Sequence, residues 1–470
     1  MKVLSSILLC LLSLVFISLE WFNAGLAFSL ISYGILLYYT MKSAGVNSVL
    51  FLFMILFGLY GYSVPISVFF EADIGWHRVA KLSTWQSVDF TLFSFMLSNQ
   101  LALLAIALLY LFFIKRRTMN ISNSDYKEPK FSYFYFAIIA GLFASISEAL
   151  NFLRVGGFSA ISNGKAYYQG AVNDLVLNIP YEGFLYISIG LFAMFFASLG
   201  RSMDKYLIYL PIYLTSIFFV LFTNLLIGER GLLVVAMVIF FLGLTIKTRI
   251  TKVKFIYFVL IGFLYVAFSF LTLLREDRIK YEGFTKFITT YETTLLRIMN
   301  PANTEFGAPA LNYRIFMDLK DPDYNYKFGA TYLEITTAFI PVYIYPNKPI
   351  GIVYEFRNTY FPERRKQGST AGTGFSSLME AYMNFGYFGP FVAYLFFLFV
   401  LIYLESKRAN DNIFVNLFYL LSFNVFLIFS RSSSQYILQT AIFYLVQIAV
   451  VVIVYKILPK KVLATLKFDK

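Results

Sequence analysis

Thr373-Gly-Phe-Ser-Ser-Leu-Met-Glu-Ala-Tyr-Met-Asn-Phe-Gly-Tyr-Phe-Gly389 is the point at which a long polar stretch runs into an uncharged one. Upstream lie the residues from about Arg275 to Gly374, rich in arginine, proline and tyrosine. Downstream, Phe391 to Leu404 carry no charge, and neither does 255–274 on the far side of the polar stretch. A polar insert between two such runs reads as one large loop between two membrane spans.

The rest of the chain agrees. Hydrophobic residues make up 59% of the 470 residues, charged ones 14%, and mean hydropathy is +0.69. A soluble domain carries more charge than this. Runs of about 18 or more apolar residues recur, each able to cross a hydrocarbon core of roughly 30 Å as a helix. Lipid cannot satisfy exposed backbone groups, so a span is a helix or part of a closed barrel, and continuous rather than alternating apolar runs select the helix. The expected fold is an all-α integral membrane protein with about twelve transmembrane helices, at 4–19, 23–40, 47–70, 90–114, 131–151, 181–199, 206–227, 231–246, 255–274, 376–404, 413–430 and 436–455. The domain plan is nine spans in 1–274, a loop subdomain in 275–375, and three spans with a basic tail in 376–470.

Charge sets the orientation. With the amino terminus in the cytoplasm, 20 of the 39 basic residues fall inside and six in short external loops; the other 13 lie in the long loop, which is too long to count. Trp21, Trp76 and Trp85 fall at the external edge, where amphipathic rings prefer to sit. Both termini are therefore expected in the cytoplasm and the long loop outside. The net charge of +13 follows this map and does not point to nucleic acid. With Cys10 the sole cysteine and His77 the sole histidine, a disulfide framework and a Cys/His metal site are excluded.

The loop holds seven of the thirteen prolines and many aromatics, unlike disordered segments. Phe284, Phe287, Ile288, Tyr291, Leu295 and Ile298 recur at helical spacing, Ala308 to Leu319 and Ala330 to Ile340 read as helices, and Asp321-Pro322-Asp323 and Pro346 to Pro349 read as turns. Pro65, Pro211 and Pro390 inside spans are expected to kink them.

Glu380 is the sharpest candidate for chemistry. It stands near the start of an apolar run with Asn384 one turn on and on the same face. A carboxylate inside a span costs about 2.5–3.5 kcal/mol at the centre, so it faces the bundle interior or a wet cavity, and desolvation there raises its pKa toward that of a general base. The bland alternative is an interfacial or structurally paired carboxylate. Arg230, in Gly228-Glu229-Arg230-Gly231, and Arg431, before Ser432 to Ser434, sit at headgroup depth, where each is a phosphate ligand or a solvated turn residue. The loop adds Arg275, Arg278, Arg297, Arg314, Arg357, Arg364 and Arg365, fork-shaped donors suited to phosphate, of which Arg314 is expected to be buried and paired. Glu71-Ala-Asp73 and Asp321-Pro-Asp323 are weak metal-site patterns.

Thr373, Gly374, Phe375, Ser376, Glu380, Ala381, Tyr382, Asn384, Phe385, Gly386 and Gly389 together resemble the bacterial O-antigen polymerase (Wzy-type) family of repeat-unit polymerases. Arg230 in its Gly-Glu-Arg-Gly and the turn Tyr345 to Pro349 resemble the family too, and the span plan does so over the whole length. Arg357 and Gly368 fit its Arg-x10-Gly spacing, which this composition also supplies by chance; Arg154 does not fit, because Lys165 stands where the glycine would be. The resemblance implies a membrane-integral, GT-C-like glycosyltransferase of the bacterial inner membrane. Donor and acceptor would be oligosaccharide repeat units on undecaprenyl pyrophosphate, met at the periplasmic face, with a chain-length regulator as a protein partner. Glu380 and Arg230 would be catalytic, Glu380 as base or orienter. Arg314, Arg431, Arg357, Arg275, Asn384, Arg364 and Arg365 would hold substrate, with positive charge stabilising the leaving pyrophosphate. No cofactor, metal or nucleotide sugar would be required.

Rival readings are a lipid-linked oligosaccharide flippase, an O-antigen ligase, and a polyprenyl-phosphate-sugar transferase using Glu71 and Asp73. Flippases favour short loops and midplane binding groups. Ligases rely on a histidine in the late external loop, and this loop has none.

Overall fold

The computed structural model describes residues 2–71, 89–114, 131–162, 168, 171–172, 181–199, 207–227, 230–252, 300–303, 306–320, 324–337, 340, 344–346, 349, 351–361, 374–410 and 412–457. Its regular elements are helices, and no strand occurs among these residues. The chain runs α1 (Lys2–Ser18), α2 (Phe22–Ala44), α3 (Val49–Phe69), α4 (Phe90–Leu109), α5 (Phe131–Arg154), α6 (Glu182–Leu199), α7 (Tyr209–Ile227), α8 (Arg230–Leu244), α9 (Ala308–Leu319), α10 (Ile352–Tyr360), α11 (Ser377–Phe385), α12 (Phe388–Glu405), α13 (Ile413–Phe429) and α14 (Ser434–Ile457).

Eight of these helices are long and apolar enough to cross a membrane: α2 to α7, α12 and α14. Three shorter apolar helices, Val3–Ser18, Gly231–Leu244 and Ile413–Phe429, stand at three further predicted spans. The predicted span 255–274, the stripe from Phe284 to Ile298, and Trp76, His77 and Trp85 lie outside the described residues. The expected span 376–404 divides in two. Gly386 adopts φ +59°, a conformation costly for other residues, and ends α11. A Cβ added at Gly389 would stand 1.8 Å from the Ala381 carbonyl oxygen, so only glycine lets α12 start so close beneath α11. Glu380 thus belongs to a nine-residue helix ahead of the span, not to the span itself.

Two of the three expected kinks also resolve differently. Pro211 and Pro390 are third residues of α7 and α12, first-turn positions where the missing N–H has no helical partner anyway. Pro65 alone of the three lies inside its helix.

The helices form two packed groups. In one, α1 lies against α2 and α4, α2 against α3, and α12 against α4. In the other, α5 lies against α6 and α7, and α8 against α6. The last two helices join them: α13 touches α3, α6 and α8, while α14 touches α13, α5 and α6. Aromatic rings fill both groups. Tyr394 of α12 meets Phe429 of α13 edge-on at 4.9 Å, and Phe134 of α5 meets Tyr209 of α7 at 4.8 Å. Cys10 is buried, with its sulfur 2.9 Å from Ser32 Oγ.

The described parts of the long loop, with α9 seated on α3 and α4, crown one end of the bundle, called here the loop end. At the opposite end a buried cation ties four helices together. Arg408 donates to the carbonyls of Ala44 (3.1 Å), Thr245 (3.1 Å), Ile246 (3.1 Å) and Thr248 (2.6 Å). It also pairs with Glu405 at 3.4 Å, which accepts from the Tyr419 hydroxyl at 2.9 Å. Arg408 is thus only 6% exposed and structural.

Candidate functional site

Glu380 sits in the first turn of α11, after Ser376 caps that helix by accepting the Met379 amide at 3.2 Å. Its side chain is wholly buried. Oε1 accepts the Thr331 hydroxyl at 2.9 Å and the Ser434 hydroxyl at 2.7 Å, and Oε2 accepts the Ser434 backbone amide at 2.7 Å. Hydrogen bonds to a charged group contribute about 1.5–3 kcal/mol each, and a carboxylate at a helix start gains further from the helix dipole. Burial pushes the Glu380 carboxyl above its ordinary range, while the bonds from Ser434 and Thr331 pull it back.

Asn384 completes the network on the same face. Its Nδ2 donates to Thr331 Oγ1 at 2.7 Å and to the Glu380 carbonyl at 2.8 Å, and its Oδ1 accepts the Gly329 amide at 2.9 Å. The amides of Lys327 and Phe328 bond the carbonyls of Met383 and Asn384. Thr331 is the second residue of a short helical segment, Ala330–Leu333, which continues as a tighter helical turn Glu334–Thr337; 338–339 of the helix expected to Ile340 lie outside the described residues. Thus α11 fastens the loop segment 327–331 along one side.

On its other side α11 holds the turn between α13 and α14. The Ser377 hydroxyl donates to the Phe429 carbonyl, and Glu380 takes both donors of Ser434. Between those anchors lies Arg431, exposed at the loop end. Tyr436, one turn into α14, stands within electrostatic reach of Arg431, Glu182 and Tyr354. The Arg357 guanidinium lies 4.9 Å over the Tyr354 ring. Each of two predicted phosphate ligands thus has a tyrosine near it, Tyr436 for Arg431 and Tyr354 for Arg357.

Arg314 is elsewhere. Its Nη2 pairs with Asp89 at 3.1 Å and its Nε with Asp318 at 3.3 Å, with the side chain 13% exposed. Asp89 also caps α4 through the Leu92 amide at 2.9 Å, so Arg314 ties the loop helix α9 to a membrane helix. Arg230 is the first residue of α8, and its side chain lies outside the described residues. Arg275, Arg278, Arg297, Arg364, Arg365, Asp73 and Asp321 to Asp323 also lie outside them. Among the described residues, no group of three or more His, Cys, Asp or Glu side chains gathers as metal ligands would.

Sequence reasoning passed over Glu148. It stands in an apolar run inside a predicted span and is fully buried in α5, with Asn151, Thr223 and Asn224 buried nearby. The signal was the one that singled out Glu380, a lone carboxylate at membrane depth. Thr331 and Ser434 were missed too, because nothing local marks a threonine or serine as the partner of a distant carboxylate.

Comparison with known proteins adds one match. A family model described as O-antigen polysaccharide polymerase Wzy covers residues 1–462. No curated protein and no solved structure matches the chain.

Proposed function

Because this chain belongs to the O-antigen polysaccharide polymerase Wzy family, it is a membrane polymerase of lipid-linked oligosaccharide repeat units, and we propose that it joins them at the loop end of its bundle. That end faces the periplasm of a bacterial inner membrane, and both termini lie in the cytoplasm. The basic residues gathered away from the loop support this orientation. The overall plan is GT-C-like, and a chain-length regulator, implied by the family, is its protein partner.

The observation that carries the reading is the double anchoring of the Arg431 turn by Ser377 and Glu380. Catalysis of sugar transfer from a pyrophosphate needs fixed positive charge where the leaving group gains negative charge. An exposed arginine on an untethered turn would supply little, because its orientation would be averaged. Held at both ends of its turn, Arg431 is preorganised, and Arg357 lies over the Tyr354 ring. These two, with Arg230, Arg275, Arg364 and Arg365, are the phosphate ligands of the reading. Glu380 and Asn384 act as orienters: with three donors on its two oxygens, Glu380 has its accepting capacity turned inward. Arg314, committed to Asp89 and Asp318, keeps α9 seated. The exposed rings of Tyr326, Tyr345, Tyr354 and Tyr436 are stacking surfaces for sugars. No metal is needed to offset the leaving charge when arginines surround it.

The test is a surface-polysaccharide gel from cells lacking the gene, complemented with wild type, Arg431→Ala or Glu380→Gln. The deletion is expected to leave a single repeat unit on the lipid core, wild type to restore the ladder, and Arg431→Ala to lose it at normal protein level. A ladder that persists in the deletion sinks the assignment.

A further inference from the structure

Three carboxylates are fully buried among the described residues: Glu148, Glu380 and Glu405. Two show how this chain satisfies such a group. Glu380 has donors on both oxygens, and Glu405 has Arg408 on one and Tyr419 with the Leu50 amide on the other. Glu148 does not follow. Tyr168 donates to its Oε1 at 2.9 Å, and its Oε2 has no hydrogen-bond partner among the described residues. Buried polar groups in proteins are nearly always paired, so an open carboxylate oxygen points to a donor that arrives from outside.

The surroundings narrow the donor's chemistry. Thr223 stands within hydrogen-bonding reach of Glu148, but its one hydroxyl proton is directed to the carbonyls of Phe219 (3.1 Å) and Val220 (3.2 Å), which leaves none for Oε2. Asn224 is held by the Val220 carbonyl and by the Tyr181 hydroxyl. Among the described residues no basic side chain pairs with the carboxylate. The place on Oε2 therefore suits a small neutral donor such as a sugar hydroxyl. It is also near the proposed leaving-group charge. Glu182, exposed at the start of α6, lies within electrostatic reach of both Glu148 and Tyr436, which has Arg431 on its other side. Glu182 thus links the surroundings of Glu148 to those of Tyr436 and Arg431.

Resting on the polymerase reading, we propose that Glu148 is the catalytic base: its Oε2 binds the attacking hydroxyl of the acceptor sugar. As that oxygen bonds to the anomeric carbon of the donor, its proton passes to Oε2. The bond from the anomeric carbon to the pyrophosphate breaks, and the lipid pyrophosphate leaves with the electron pair. Tyr168, on the other carboxylate oxygen, is a positioning residue that fixes which oxygen is open.

The test uses the same gel, with Glu148→Gln and Tyr168→Phe in the full chain. Glu148→Gln keeps an acceptor for Tyr168 and is expected to lower polymerisation on the order of 10²-fold or more. Tyr168→Phe, which removes the donor that fixes the carboxylate but keeps the base, is expected to lower polymerisation by less, on the order of 10-fold. A normal ladder from Glu148→Gln, beside a deletion that has none, overturns the role of Glu148 alone; a ladder in the deletion overturns the polymerase reading instead. Should Glu148→Gln fail to reach the membrane, purified wild-type protein decides. Dicyclohexylcarbodiimide, an apolar carboxyl reagent, is expected to modify Glu148, and lipid-linked repeat unit extracted from the deletion strain is expected to block it. No modification, or modification that the substrate does not slow, overturns the proposal.

Discussion

Glu380 and Ser434, 54 residues apart in the chain, share two hydrogen bonds of 2.7 Å, one from the backbone amide and one from the hydroxyl. The carboxylate thereby caps α14 and fixes the turn that presents Arg431. A base in the middle of a reaction would keep a lone pair open to substrate. A carboxylate satisfied on both oxygens is built to hold something still.

That distinction is measurable. Glu380→Gln places an amide N–H against the Ser434 N–H or loses a hydroxyl donor, leaving a buried group unmatched at about 1–3 kcal/mol. If Glu380 orients, its Gln variant and Ser377→Ala both lower thermal stability of the detergent-solubilised protein and shorten the ladder together. Loss of the ladder in Glu380→Gln at unchanged melting temperature, with Ser377→Ala normal, would show chemistry at Glu380 instead.

Arg431 is exposed, so its replacement should leave folding intact. Arg431→Ala is expected to cut polymerisation on the order of 10²-fold. Arg431→Lys should recover only part of it, because an ammonium keeps the charge but loses the bidentate fork. Equal activity of the two variants, measured on extracted lipid-linked repeat units at matched protein levels, would remove Arg431 from the phosphate site.

Arg314 behaves in the opposite way. Asp89→Asn removes its shorter ion pair while retaining an acceptor for the α4 cap, and the pair is partly exposed. The expected loss is about 1–2 kcal/mol, seen as a lower melting temperature. Residual activity per folded molecule should stay near wild type. A large loss of rate in folded Asp89→Asn protein would move Arg314 into the reacting centre.

How much of this was legible beforehand follows from which interactions are local. The spans could be read because lipid demands apolar helices wherever it touches the chain. The spacing of Glu380 and Asn384 put them on one face, and in the structure both reach Thr331. Their partners could not be read, since Thr331 and Ser434 lie 49 and 54 residues from Glu380 and carry no periodic signal. Pro390 reads as a kink only while the run looks continuous; the break at Gly386, a backbone feature, makes it a first-turn residue of a new helix. The burial of Arg408 is not legible either, because the four carbonyls at helix ends that converge on it come from segments distant in the chain.

Arg408 gives the last prediction, and it separates bundle integrity from the site. The guanidinium is buried at the end of the bundle opposite the loop, so its removal can reach the chemistry only through folding. Arg408→Ala leaves Glu405 as a buried carboxylate without its cation and strips the carbonyls of Ala44, Thr245, Ile246 and Thr248 of their donor. Removing one partner of a buried pair costs about 3–5 kcal/mol, more than a marginally stable bundle tolerates easily. The variant should fall to low levels in membranes, with the ladder reduced in proportion to the protein. Adding Glu405→Gln relieves the stranded charge, while its carbonyl still accepts from Tyr419, so the double variant should recover part of the protein level. Recovery of protein without recovery of the ladder would mean that this end of the bundle takes part in the reaction.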